Sequence, residues 1–111
     1  MRTPTQLDID TTKYRQRAYT GRVKSELARL RLRYHDQRLG AAKRGITWDF
    51  TFESWLAWWE ATGKLQQRGC HRGQYVMARY GDQGPYSPAN VRCATAEENH
   101  RERQALRGRL Q

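Results

Sequence analysis

The chain has 111 residues, enough for one domain but not for a many-layered core, so its interior must come from a few large side chains among four Trp, six Tyr and two Phe. Lys and Arg number 21 against 11 acidic residues, and the resulting formal charge of +10 draws polyanions and makes nucleic acid the first partner to consider. Two cysteines are too few to staple a secreted mini-domain, no hydrophobic signal stretch opens the chain, and no apolar run approaches the roughly 20 residues of a bilayer span. The expected compartment is therefore the cytoplasm, with no membrane partner.

Residues 1–21 carry Pro4, scattered Thr and alternating charges without an apolar period, which reads as a flexible basic arm ahead of a single domain over residues 22–111. From Arg22 to about Leu39, Val23, Leu27, Leu30 and Tyr34 recur at steps of three and four, the spacing of an amphipathic helix. Its other face holds Lys24, Arg29, Arg31, Arg33 and Arg38, charges that suit a solvated helix face as well as phosphate contact. Gly40 offers a stop near the end of this helix, and Gly45 a firmer C-cap. Apolar residues then alternate over Ile46 to Phe50 in a short extended stretch, and Thr51 suits the N-cap of a second helix over Phe52 to Thr62. Trp55, Leu56 and Trp59 share one stripe of that helix and are assigned to the core, whereas Trp58 projects off it.

The connector from Gly63 to Gly73 holds Lys64, Arg68, Cys70, His71 and Arg72 and reads as an exposed basic loop. Tyr75 to Tyr80 and Val91 to Ala94 have strand composition, and the run between them, Gly81 to Pro88, is dense in turn residues. Thr95 followed by Glu98 forms a capping box, with Glu97 and Glu98 well placed against the helix dipole, so a third helix should run from Ala96 to about Leu106. The predicted fold is α+β, with N-terminal helices over residues 22–62 and a C-terminal ββα module over residues 74–107.

Within that module, the stretch Met77 to Arg92 resembles the phage-type HNH endonuclease pattern, in which Asp-Arg-hydrophobic-Asp precedes Gly-Tyr-x-Pro-x-Asn-Val. Upstream, Ala41 to Trp55 resembles the basic Ala-Lys-Arg-Gly-Ile segment and the Thr-Phe-Glu-x-Trp helix start that precede the motif in such proteins. The resemblance implies a module that docks on double-stranded DNA and, if active, hydrolyses a phosphodiester with one divalent cation, Mg or Mn. It implies a catalytic group of Arg79, Asp82, Asn90 and His100, with Asp82 and Asn99 as metal ligands. Asn90 would pin the turn of the module, and Asn99 would stand where the final letter of the motif binds metal, with His100 as the alternative. The separation of Asn90 and Asn99 equals the usual gap between the middle and final letters of HNH. A bacteriophage or mobile-element source, and hence a bacterial host cell, is implied as well.

Two departures bear on chemistry. Ala78 stands where the pattern has an acidic ligand, and Arg79 where its first His acts as base; a guanidinium cannot readily take a proton from water. Hydrolysis would then need Asp82 or His100 to activate water, or Arg79 to stabilise the phosphorane charge. The alternative is a catalytically inactive HNH fold kept for DNA binding or for binding a host protein. Taken singly, Asp82 and Asn90 are common turn residues, and Arg79 could simply pair with a carboxylate.

The preferred phosphate contacts are Arg101, Arg103 and Arg107 on the last helix, with Arg92 on the strand before it; Lys43, Arg44, Arg68 and Arg72 form a second basic group. Cys70, His71, Cys93 and His100 are the right types for structural zinc, but their spacing lacks the two close pairs such a site presents, and Cys93 is assigned to the core.

Overall fold

The computed structural model describes residues 21–110, and the arm expected ahead of the domain falls, apart from Gly21, outside the described residues. Among these residues the fold is mixed α+β, with helices α1 (Gly21–Lys43), α2 (Phe52–Thr62) and α3 (Ala96–Leu110) and one antiparallel pair of strands, β1 (Tyr75–Arg79) and β2 (Val91–Thr95). The C-terminal order is strand, strand, helix.

Helix α1 runs past the expected end at Leu39, straight through Gly40. A glycine inside a helix costs only about 1 kcal/mol relative to alanine, and the next residue, Ala41, is completely buried, so continuing the helix seats it in the core. The stop comes at Gly45, where the Ile46 amide donates to the Ala41 carbonyl at 2.9 Å and the Gly45 amide to that of Ala42 at 3.0 Å. This pair of bonds needs a left-handed residue between them, and Gly45 supplies it with φ 71°.

Tyr34 is the hub of the aromatic core. Its ring meets Trp48, Phe52 and Trp55 edge-on at 5.6, 5.8 and 5.8 Å. Its hydroxyl donates to the Phe50 carbonyl at 2.7 Å and accepts from the Trp48 indole at 3.2 Å, so the polar atom it carries into the core is satisfied. Helix α2 begins as its sequence predicts: the Thr51 hydroxyl accepts from the Ser54 amide and the Ser54 hydroxyl from the Thr51 amide. Trp55, Leu56 and Trp59 are buried, and Trp58 is half-buried, set edge-on against Trp59 at 4.9 Å. The connector after α2 is not wholly exposed, because Leu65 is buried in a short 3-10 turn over Leu65–Gln67 and ties the loop to the core.

Strands β1 and β2 pair with Met77 opposite Cys93, Ala78 opposite Arg92 and Arg79 opposite Val91. Alternation sends Met77 and Val91 toward the aromatic core, with Cys93 packed beside it. The opposite face presents Ala78 and Ala94, both buried, and α3 packs against both strands. The Thr95–Glu98 capping box forms as expected, with hydrogen bonds from the Thr95 amide and then its hydroxyl holding the Glu98 carboxyl below the usual range. Helix α3 continues to Leu110, four residues past the predicted end, on residues that are mostly good helix formers. Among the described residues no helix is long and apolar enough to cross a membrane.

Candidate functional site

The loop between β1 and β2 is held from both ends by side chains. Arg79, at the end of β1, is only 10% exposed and turns its guanidinium into the loop, donating to the Gly84 carbonyl at 2.7 Å and to Asp82 Oδ1 at 3.2 Å. From the other end, the Asn90 side-chain amide donates to the carbonyls of Gln83 and Pro85 at 2.8 and 2.9 Å. Gly84 lies between them at φ 78°, and a Cβ there would come within 2.8 Å of Asn90 Nδ2, so conformation and space both call for glycine. Replacing Asn90 by Ala removes two hydrogen bonds at once. A loss of about 1–2 kcal/mol in urea unfolding is expected, with the m-value unchanged.

Tyr86 fastens this loop to the helical half. Its amide donates to the Thr47 carbonyl at 2.9 Å and its carbonyl accepts from the Asp49 amide at 2.8 Å, a short bridge running parallel to Trp48. The buried ring lies against Trp48, with the Arg79 guanidinium 5.4 Å and the Arg44 guanidinium 6.0 Å from its centroid. Its hydroxyl accepts from Arg44 Nη2 at 3.0 Å. Tyr86 thus aims an arginine from the end of α1 toward the ββα loop.

Beside that loop is a half-open groove of about 660 Å³. Arg44 lines it from the end of α1, residues 81–83 from the loop, and Arg103, Leu106 and Arg107 from α3. Three arginines, one from the turn after α1 and two from α3, therefore line one cavity, with Asp82 the single carboxylate among its lining residues. Asp82 adopts a left-handed φ of 54°, and besides its bond to Arg79 its Oδ1 lies 3.8 Å from Arg103 Nε.

This arrangement regroups the basic residues expected from sequence. Arg44 joins Arg103 and Arg107 rather than Arg68. Arg101 is two residues from Arg103, which on a helix is about 200° round the axis, and it does not line the groove. Arg92 is paired with Glu102 and links β2 to α3. Arg68 has a structural place: its Nε donates to the Leu65 carbonyl at 2.7 Å and its guanidinium lies over the rings of Trp55 and Trp59. Burial, then the nearby Arg33 charge, pulls its pKa down. Lys43 and Arg72 are exposed on the surface.

The residues suggested by the HNH resemblance are distributed as follows. Arg79, Asp82 and Asn90 are brought together in one loop. Asn99 is one helical turn before Arg103 and so shares its face of α3. His100 is exposed on α3, with a ring nitrogen 3.2 Å from the Gln104 amide nitrogen. Ala78 is buried under α3 and offers no donor. Among the described residues no group of three or more His, Cys, Asp or Glu could hold a metal ion; Cys70 is exposed, and Cys93 is half-buried with burial raising its thiol pKa. Leu106 is a site residue that the sequence did not single out, and Tyr86 entered the sequence reading only as the Tyr of the Gly-Tyr-x-Pro resemblance, with no role assigned to it. The signal for a seated role was there as well: Tyr86 is an aromatic embedded in turn residues, Pro85-Tyr86-Ser87-Pro88, and has to be packed somewhere.

Fold and site together define a mixed α+β protein whose C-terminal strand–strand–helix unit carries an arginine-lined groove at its loop. No family model, curated protein or solved structure matches the chain.

Proposed function

We propose that this protein binds double-stranded DNA through its ββα module, as an HNH-like fold that grips the backbone without cutting it. The observation that carries this proposal is the convergence of Arg44, Arg103 and Arg107 on one groove. Guanidinium groups meet phosphate oxygens two at a time, and the turn after α1 and the helix α3 that carry these three are set by the Tyr86 bridge and by the packing of α3 on the sheet. The overall charge of +10 adds the long-range attraction that brings a polyanion to the surface.

Hydrolysis is less well supported by the same residues. A divalent cation, Mg or Mn, would have Asp82 and Asn99 as its donors, but Asp82 Oδ1 already faces two guanidinium groups. Ala78 contributes nothing and Arg79 is committed to the loop, so the donor set is a poor fit for the ion. The test pairs two assays on the same preparation: fluorescence anisotropy with a labelled duplex over a salt series, and nicking of supercoiled plasmid with Mg, with Mn and without metal. Binding that weakens steeply with salt, with no metal-dependent nicking, is the expected result. Metal-dependent nicking lost in Asn99→Ala would replace this proposal with a nuclease, and neither binding nor nicking would point to a protein partner.

A further inference from the structure

Asp82 is an odd residue to find in a groove lined by three arginines. It is the one carboxylate among the groove's lining residues, it adopts a left-handed backbone conformation, and it is shared between two arginines with different duties. Arg79 is nearly buried and spends its bonds on the loop, whereas Arg103 is 39% exposed on its side chain, lines the groove and stands 3.8 Å from the same Asp82 oxygen. We infer that Asp82 is the groove's resident counter-anion: it holds Arg103 in the free protein and is displaced from Arg103, while keeping Arg79, when a phosphate of the backbone enters.

The two distances favour that division. The Arg79 contact at 3.2 Å is a hydrogen bond, and the Arg103 contact at 3.8 Å is an ion pair without one, so the weaker and more solvated link is the one on the groove side. A tethered carboxylate also competes as though at high local concentration, so a small free anion displaces it poorly. A nucleic-acid backbone engages Arg44 and Arg107 at the same time and overcomes that competition. Asp82 would thus set a threshold that admits a polyanion and rejects single phosphates, at some loss of affinity for DNA. This inference rests on the groove being the DNA site.

Asp82→Asn is the informative substitution. Asn tolerates the left-handed conformation and its carbonyl can still accept from Arg79, so the loop keeps its shape while the charge is removed. Duplex affinity is measured by anisotropy at fixed salt for the wild type, Asp82→Asn, Arg103→Gln and the double variant, with Glu53→Gln on α2 as a charge-matched control that does not line the groove. Asp82→Asn should bind roughly tenfold tighter, Glu53→Gln should stay within about twofold, and the gain should vanish when Arg103 is already Gln. Thermal melts of each variant confirm that the fold is retained. A gain that persists without Arg103, or Asp82→Asn binding no tighter than wild type, overturns the inference while leaving the groove in place. If Arg103→Gln itself leaves affinity unchanged, the groove is not the DNA site and both proposals fall.

Discussion

Trp55→Ala should leave the protein close to unfolding at room temperature. The side chain is 1% exposed and stands at the centre of the aromatic cluster, edge-on to Tyr34 and stacked on Phe52 at 6.1 Å. Removing a buried indole typically costs about 3–5 kcal/mol, because the transfer energy is lost and the cavity only partly closes. Three further effects belong to this site. The Trp55 indole donates to Gln37 Oε1 at 2.9 Å, so the Gln37 carbonyl would be deprived of that donor. Arg68, half-buried with its guanidinium 5.4 Å from the Trp55 ring, would be left beside a void. Gln37 also donates to the Met77 sulfur, so a shift there loosens β1. A domain of this size has a total stability of about 5–15 kcal/mol, and a fall in melting temperature of more than about 15 °C is expected. Trp58→Ala, at a half-buried position on the other side of the stripe, should lose less than half as much in the same denaturation series. Equal destabilisation at the two positions would mean that the core is not centred on Trp55.

The contrast between Trp55 and Trp58 was legible in the sequence, and it shows which parts of the chain local chemistry can specify. Helix α2 has a capping threonine, an apolar stripe and a closing glycine in one short segment, all pointing the same way. The Thr95–Glu98 box fixed the start of α3 for the same reason. The end of α1 was harder, because a glycine at position 40 argues locally for a stop while the burial of Ala41, a tertiary fact, keeps the helix going. Leu65 was hidden in a basic connector for a similar reason: one apolar side chain among charges has no period to announce it.

The candidate site divides along the same line. Arg79, Asp82 and Asn90 fall within one loop, so their spacing was enough to bring them together. Arg44 and Arg103 are 59 positions apart (103 − 44), and nothing in either neighbourhood says that they face one cavity. Their meeting depends on Tyr86, which receives Arg44 on its hydroxyl and is itself fixed by backbone bonds to Thr47 and Asp49. Arg68, by contrast, looked like Arg44 in composition and context but was drawn inward by the faces of Trp55 and Trp59. Basic residues in a sequence with charge +10 are interchangeable to the eye; the aromatic residues beside them decide which become structure and which remain available.

That distinction yields the largest functional effect expected of this protein. Replacing Arg44, Arg103 and Arg107 together by Gln should weaken duplex binding roughly a hundredfold or more at moderate salt. It should also lower the slope of log affinity against log salt by about three, one unit for each phosphate no longer neutralised. The proper comparison is a variant with the same change in net charge, Arg29→Gln, Arg33→Gln and Arg38→Gln on α1, none of which lines the groove. If binding came only from the overall field, the two triple variants would weaken alike, since a diffuse attraction depends on total charge and not on where it is placed. A built groove predicts otherwise. The α1 variant should bind severalfold more weakly at low salt, through the long-range field alone, and recover most of the difference as salt screens it. The groove variant should bind more weakly than the α1 variant through the working salt range, and its deficit should narrow about three times as steeply on the log–log plot as one lost contact would give, the mark of three lost close-range phosphate contacts. Melting temperatures separate this outcome from misfolding. Arg103 and Arg107 lie outside the buried core cluster, and only Arg44, through its hydrogen bond to the Tyr86 hydroxyl, should cost the fold about 1 kcal/mol. Equal weakening of the two triple variants would reduce the groove to one more patch of a basic surface.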